Sequence, residues 1–258
     1  MQDLKVAGIQ YSISWKDKEA NFRLIEEELT SIGEQDLIVL PEMFQTGFCF
    51  DKEELAEDME SSKTISWMRH WAGKTRAVLT GSLIIKEGDS YFNRLIWMRP
   101  DGEYSTYDKR HLFSMSDEPK HFTAGGEKLF TELKGWKICP MVCYDLRFPV
   151  WIRNTNGYDV LIMVANWPER RSVHWEKLLQ ARAIENQCYV IGVNRVGDDG
   201  NGIYHDGRSA IIDTQGNVMY EAIHDQAVLK AVLTKEELTK TRRYMPFLKD
   251  ADRFEIGD

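Results

Sequence analysis

The sequence predicts an α/β fold, and three observations carry the prediction. Segments with strand periodicity alternate with segments of helix periodicity along the whole chain. Several apolar runs of strand length stop abruptly at polar or charged residues, as buried strands do where they reach the edge of a sheet. With 258 residues and 43% hydrophobic side chains, the chain can fill a large core, and no linker divides it.

The elements follow in order. Leu4-Lys5-Val6-Ala7-Gly8-Ile9-Gln10 alternates apolar with polar or small residues, which is the period of a strand. Phe22, Ile25, Leu29 and Ile32 recur at three and four, marking an amphipathic helix that Gly33 closes. A short apolar strand occupies 36–40 and ends at Pro41, which cannot continue a central strand. A helix over 62–72 carries Ile65, Met68 and Trp71 on one face. Strands at 77–85 and 92–98 follow, with turn signals at Glu87-Gly88-Asp89 and Pro100-Asp101-Gly102. Residues 104–108 alternate aromatic and small polar side chains, then run into Lys109-Arg110-His111.

The second half repeats this style without repeating the sequence. Strands are expected at 128–133, 137–142, 159–164 and 189–193, and Trp175, Leu178, Ala181 and Ile184 give the intervening helix an apolar stripe. Strands at 209–213, 218–221 and 227–232 complete the pattern, with Thr214-Gln215-Gly216-Asn217 turning between the first two. The expectation is one domain over residues 1–258. Residues 244–258 lack periodicity and read as a C-terminal tail, available to lie across a neighbouring subunit.

Three strand ends offer chemistry. Glu42 lies just past the strand at 36–40, Lys109 past the strand at 104–108, and Cys143 past the strand at 137–142. Singly, each has a bland reading: a solvated acid, a surface cation, a small buried hydrophobe. Together they are a base, an oxyanion-stabilising cation and a nucleophile, gathered at the edge where α/β sheets bind ligands.

The blocks around them carry a resemblance. Leu40-Pro41-Glu42-Met43-Phe44, Asp108-Lys109-Arg110-His111-Leu112-Phe113 and Val142-Cys143-Tyr144-Asp145-Leu146-Arg147-Phe148-Pro149 resemble the three signature blocks of the nitrilase, or carbon–nitrogen hydrolase, superfamily. Ala165-Asn166-Trp167-Pro168, Ala181-Arg182-Ala183-Ile184-Glu185-Asn186 and Asn194-Arg195-Val196-Gly197 extend the likeness over nearly the whole chain, which looks most like the ω-amidase branch. The resemblance implies a four-layer α-β-β-α sandwich and an assembly of two or more copies of the chain. It implies an amidase with no cofactor, acting on small ω-monoamides of dicarboxylic acids such as 2-oxoglutaramate and 2-oxosuccinamate.

The same resemblance assigns roles. Cys143 would attack the amide carbonyl and form a thioester, Glu42 would be the general base, and Lys109 with the backbone N–H of Tyr144 would hold the oxyanion. A second glutamate supports the lysine in the family, and Glu118 matches it, with Asp117 and Glu127 as competitors; the usual Pro-Gly beside it is Ala124-Gly125 here. Lys109 is expected to neutralise Glu42 and to favour thiolate character at Cys143. Arg147 could pair a substrate carboxylate or form a scaffold salt bridge with Asp145 or Glu185. Phe44, Tyr144 and Trp167 are expected to wall the pocket, with a plain core role as the alternative for each.

Composition narrows the classes. A formal charge of −8 argues against non-specific nucleic-acid binding. No apolar run approaches membrane-spanning length, and the first residues enter a strand rather than a signal peptide, so a cytoplasmic protein is expected. Four cysteines (Cys49, Cys139, Cys143 and Cys188) are too sparse for a disulfide framework. Cys139 and Cys143 would stand about 13 Å apart on one strand, too far to share a metal ion, and no metal site is expected. A cysteine–histidine hydrolase would need His111 or His174 beside Cys143 and lacks the sequence typical of that class. Other carbon–nitrogen hydrolase activities stay open (deaminated glutathione amidase, N-carbamoyl hydrolase, nitrilase), as does a binding or scaffolding module on the same fold.

Overall fold

The structure is a computed structural model that describes residues 2–257. The first half contains β1 (Leu4–Gln10), α1 (Lys18–Ser31), β2 (Leu37–Val39), α2 (Lys52–Leu55), β3 (Glu57–Asp58) and α3 (Lys63–Thr75), then β4 (Val78–Glu87), β5 (Ser90–Met98), β6 (Tyr104–Asp108) and α4 (Glu118–His121). The second contains β7 (Thr131–Leu133), β8 (Trp136–Val142), α5 (Pro149–Ile152), β9 (Val160–Ala165), α6 (Ser172–Asn186) and β10 (Tyr189–Asn194), then β11 (Val196–Asp198), β12 (Tyr204–Ile212), β13 (Val218–Ile223), β14 (Ala227–Leu233) and α7 (Lys235–Tyr244). Asp17 and Ser62 cap α1 and α3, each accepting a hydrogen bond from a backbone N–H three residues on.

Two seven-stranded sheets result. One runs β14-β1-β2-β4-β5-β6 with β3 beside β4, and the other runs β11-β12-β10-β9-β8-β7 with β13 beside β12. Each has three parallel strands at its centre, β1-β2-β4 and β8-β9-β10, joined by helical crossovers and flanked by antiparallel strands. The period of two then builds the layers. Leu4, Val6, Leu37, Val39, Val78 and Trp97 face inward and pack against Ile138, Val160 and Ile191 of the second sheet. Their neighbours Ala7, Ile9, Ile38, Leu40 and Leu79 face outward and bury Phe22, Ile25, Leu29, Ile65, Met68 and Trp71 of α1 and α3. On the far side Trp175, Leu179 and Ala183 of α6 and Leu238 of α7 cover the second sheet. The four layers expected from the family resemblance are therefore present. Gly8 makes the two sheets' contact possible, because a Cβ there would sit 2.8 Å from the Val193 side chain.

Two expectations need correction. The buried face of α6 is Trp175, Leu179, Arg182, Ala183 and Asn186, while Ile184, placed on the stripe by sequence, is 49% exposed. The helix turns polar residues inward because they have partners: Arg182 donates to the Leu146 carbonyl and Asn186 accepts from Asn154 N–H. Helix α7 was not expected, since only Leu238 and Thr241 of its ten residues are buried and no apolar stripe marks it. Its signal was a cap: Thr234 accepts from the Glu237 N–H, three residues on. The tail beyond it turns once more at Phe247–Asp250.

Candidate active site

Glu42, Lys109, Glu118 and Cys143 come together at the carboxyl ends of the central strands. Glu42 is fully buried two residues past Leu40, and both its oxygens are occupied. Oε1 accepts from Lys109 Nζ at 3.0 Å and Asn93 Nδ2 at 2.8 Å, while Oε2 accepts from the Asn166 N–H at 2.9 Å. The Asn166 side chain also donates to the Glu42 carbonyl at 2.6 Å, so one asparagine holds Glu42 from both sides.

Lys109 is 1% exposed and continues from the end of β6. Its N–H donates to the Asn93 carbonyl and its own carbonyl accepts from the Gly125 N–H, fixing the backbone that carries the ammonium. Gly125 has to be glycine, because a Cβ there would lie 2.2 Å from the Asp108 carbonyl oxygen. Lys109 Nζ donates to both oxygens of Glu118 at 2.9 Å. Glu118 is itself fully buried at the start of α4, where Oε2 also accepts from the Phe113 N–H at 2.5 Å. The competing acids lie elsewhere: Asp117 pairs with Lys120 at the surface and Glu127 is exposed. Burial opposes the Lys109 ammonium, but the carboxylates of Glu118 and Glu42 outweigh it and hold its pKa well above the usual lysine value. Glu118 moves upward as burial and the Glu42 charge overcome the pull of Lys109.

Cys143 follows β8 and opens a 3-10 turn, Cys143–Arg147. Its φ is +46°, and Met43 beside Glu42 has φ +44°; left-handed backbone at non-glycine residues costs on the order of 1 kcal/mol or more. Asp145 pins this turn, accepting from the Val142 N–H at 3.1 Å, Tyr107 Oη at 2.8 Å and the His111 N–H at 3.0 Å. The Tyr144 N–H stands in the first turn of the helix, where backbone donors have no intrahelical acceptor. Lys109 pulls the Cys143 thiol pKa down, as expected, but it is outweighed. Burial, then the Glu42 charge, push the thiol well above the ordinary cysteine value despite Lys109. The resting group is a thiol that needs a base.

Glu42, Lys109 and Cys143 open into a cavity of about 580 Å³. Tyr144, Arg147 and Trp167 line it as expected, and the sequence reading missed the further aromatic wall of Trp15, Phe48, Phe50 and Phe113. Phe44 does not belong to it: the left-handed turn at Met43 sends that ring, wholly buried, against Trp67 at a centroid distance of 5.9 Å. Arg147 makes neither scaffold ion pair, since Asp145 is occupied as above and Glu185 pairs with Arg182 at 2.9 Å. Its guanidinium lies 4.6 Å from the Trp167 ring centroid and donates to His174 Nδ1 at 3.1 Å.

The histidines serve other ends. His111 Nδ1 faces Asp145 at 2.8 Å with its ring stacked on Phe148, and His174 is exposed. His205 does line the cavity, but burial and then the charge of Arg195 pull it to about 4, so it is neutral near pH 7. Among the described residues no group of three His, Cys, Asp or Glu side chains gathers as a metal site. Asn93 and Asn166 are the polar residues that sequence reasoning missed. Asn166 stood in a quoted block at a strand end, whereas Asn93 sits inside β5 with no local mark. Chemically, the cluster can deprotonate a thiol, hold an oxyanion beside an ammonium, and bind an anionic group at the cavity's guanidinium side.

Comparison with known proteins identifies the family. The carbon–nitrogen hydrolase family model matches residues 5–243. An omega-amidase, YafV of Yersinia enterocolitica, is 46% identical over 98% of this chain and 99% of its own length. A 2-oxoglutaramate amidase of Bacillus subtilis is 32% identical over 95% of this chain and 96% of its own. Among solved structures, XC1258 of Xanthomonas campestris, a CN-hydrolase superfamily protein with an arsenic adduct in its active site, superposes with a TM-score of 0.97 at 41% identity, each chain wholly covered.

Proposed function

This chain belongs to the carbon–nitrogen hydrolase family, and from that membership we propose that it is an ω-amidase, cleaving the carboxamide of a dicarboxylic monoamide to carboxylate and ammonia. The favoured substrates are 2-oxoglutaramate and 2-oxosuccinamate. The observation that carries the reading is Lys109, buried between two carboxylates beside the Cys143 thiol on the wall of a cavity.

The reaction follows from the groups present. Glu42 takes the thiol proton as Cys143 Sγ attacks the amide carbon, giving a tetrahedral intermediate. Lys109 Nζ and the Tyr144 N–H hold its oxyanion, an interaction whose loss typically costs about a hundredfold or more in rate. Glu42 returns the proton to the amine nitrogen, the C–N bond breaks, and ammonia leaves a thioester on Cys143. Water, deprotonated by Glu42, attacks the thioester carbon, and the C–S bond breaks to release the acid and restore the thiol. Glu118 keeps the ammonium placed, and Asn93 and Asn166 hold Glu42 toward the sulfur. Arg147, with Trp167 beneath it, receives the substrate's carboxylate.

Ammonia release tests this. The protein is expected to act on 2-oxoglutaramate and related monoamides in preference to glutamine, deaminated glutathione, an N-carbamoyl amino acid and a simple nitrile, with Cys143→Ala inactive. Turnover that survives in Cys143→Ala, or its absence across the whole panel, overturns the enzymatic reading. The thiol supplies a second test: alkylation of Cys143 by iodoacetamide should keep accelerating past pH 9, with no plateau below it, because its pKa is raised.

We also infer a cytoplasmic protein that self-associates. Four unpaired cysteines support the first. Exposed Tyr244, Met245, Phe247 and Phe254 along the tail support the second. Light scattering of the chain with and without residues 245–258 tests the tail's part in assembly.

A further inference from the structure

Three guanidinium groups, Arg147, Arg170 and Arg171, line one side of the cavity. Among the described residues none of them pairs with a carboxylate, although acidic residues outnumber basic ones by 41 to 33 in this chain. The acids that share the cavity are committed elsewhere. Asp51 pairs with Lys16 at 2.7 Å, Asp199 accepts from the Asn201 and Ile203 N–H groups, and Glu42 is held as described.

Arg170 and Arg171 make no side-chain hydrogen bond, and Arg171 is the less solvated of the two. It is half-buried where Arg170 is exposed, and it lies over the Phe113 ring at 5.1 Å from the centroid. Burial, followed by the like charges of Arg170 and Arg147, pulls its pKa below the ordinary guanidinium value. Cations crowded together and partly desolvated, without a counter-charge, are unfavourable in the empty protein and are relieved by a bound anion.

We propose that Arg171 is a specificity-determining residue that binds, together with Arg147, the carboxylate at the far end of the amide substrate. This rests on the ω-amidase reading and deepens it: Arg147 already spends a donor on His174, whereas Arg171, held over Phe113 as Arg147 is over Trp167, has all its donors free to share the carboxylate oxygens. The support has a further consequence. Phe113 donates its N–H to Glu118, and Glu118 receives Lys109, so the carboxylate end of the site is anchored on the loop that holds the ammonium. A neutral amide of equal length would leave the cations uncompensated and bind poorly.

The test compares glutaramate with pentanamide, which keeps the chain and lacks the carboxylate, in wild-type protein, Arg171→Gln and Arg171→Lys. The kcat/KM ratio of the two amides is expected to fall about 10- to 100-fold in Arg171→Gln, mainly through KM for glutaramate, and to recover in part in Arg171→Lys. Calorimetry of glutarate binding to Cys143→Ala, with and without Arg171→Gln, gives a readout free of turnover, and the affinity should fall by a similar factor. A ratio within about twofold of wild type, as when both amides lose activity equally, overturns the proposal, as does unchanged glutarate affinity. Arg171-dependent glutarate binding in a protein that hydrolyses no monoamide would leave the anion site standing and remove the ω-amidase reading instead.

Discussion

The two edges of the paired sheets carry buried charge in opposite ways. At the amino ends of the central strands, Asp36 precedes β2 and Asp159 precedes β9, and the two sit in matching environments. Asp36 accepts from the Lys5 N–H on β1 and pairs with Lys134, and its own N–H donates to the Lys5 carbonyl. Asp159 accepts from the Lys137 N–H on β8 and pairs with Lys235 at 2.5 Å and Arg242 at 2.8 Å, and its N–H donates to the Lys137 carbonyl. Both of these carboxylates have a cation. At the carboxyl ends, two buried glutamates share one ammonium and three guanidinium groups lack an acid. One edge is balanced and ties strands together. The other keeps unrelieved charge, which persists where binding or chemistry can use it.

The largest effects should therefore appear at the unbalanced edge, in rate and not in stability. Cys143→Ala is expected to lower kcat by about 10⁴-fold or more, as loss of a covalent nucleophile does. Its melting temperature should stay near that of the wild type, since only one sulfur atom is removed. Lys109→Met should lower kcat by roughly 10²- to 10³-fold through the lost oxyanion donor. It leaves the buried Glu118, whose pKa is already raised, without its cation, so stability should fall as pH rises through the ionisation of Glu118. A Lys109→Met protein with near-normal kcat would dissolve the distinction between the edges.

The sequence made the unbalanced edge easy to read and the balanced one easy to overlook. Glu42 and Cys143 each end an apolar run, where the residue contrasts with what precedes it, Lys109 follows the alternating strand at 104–108, and the family resemblance led to Glu118. Asn93 had no such contrast: it lies within β5, and only the fold brings its amide to Glu42 and Glu118. Arg171 was hidden similarly, since a charged residue ahead of a helix normally reads as surface. The alternation of strands and helices was legible in their periods and the four layers followed from the family resemblance, whereas the α6 face was misjudged because Arg182 and Asn186 are polar residues with buried partners. Phe44 shows the limit of reading along the chain, for one left-handed residue at Met43 reversed the side its ring takes.

Asp159→Asn sharpens the comparison from the other side. The carboxylate is 5% exposed with two cations on it, and removing one partner of a buried pair typically costs about 3 kcal/mol or more. The urea midpoint should drop accordingly while kcat at a temperature well below unfolding stays within about twofold. A kcat that fell with the midpoint would mean that the two edges are mechanically coupled through β9, whose far end leads to Asn166 and hence to Glu42.

Asp36→Asn is the smaller counterpart and the more discriminating one. Its topological position equals that of Asp159, but its one cation, Lys134, is 40% exposed and screened by water, whereas Lys235 is 12% exposed. An asparagine keeps an oxygen for the Lys5 N–H, so the strand tie survives and only the weak pair is lost. The expected cost is about 1 kcal/mol or less, read from the same urea titration. If position in the fold set the cost, the two variants would fall by equal amounts; if burial of the counter-charge sets it, Asp159→Asn should exceed Asp36→Asn by a clear margin.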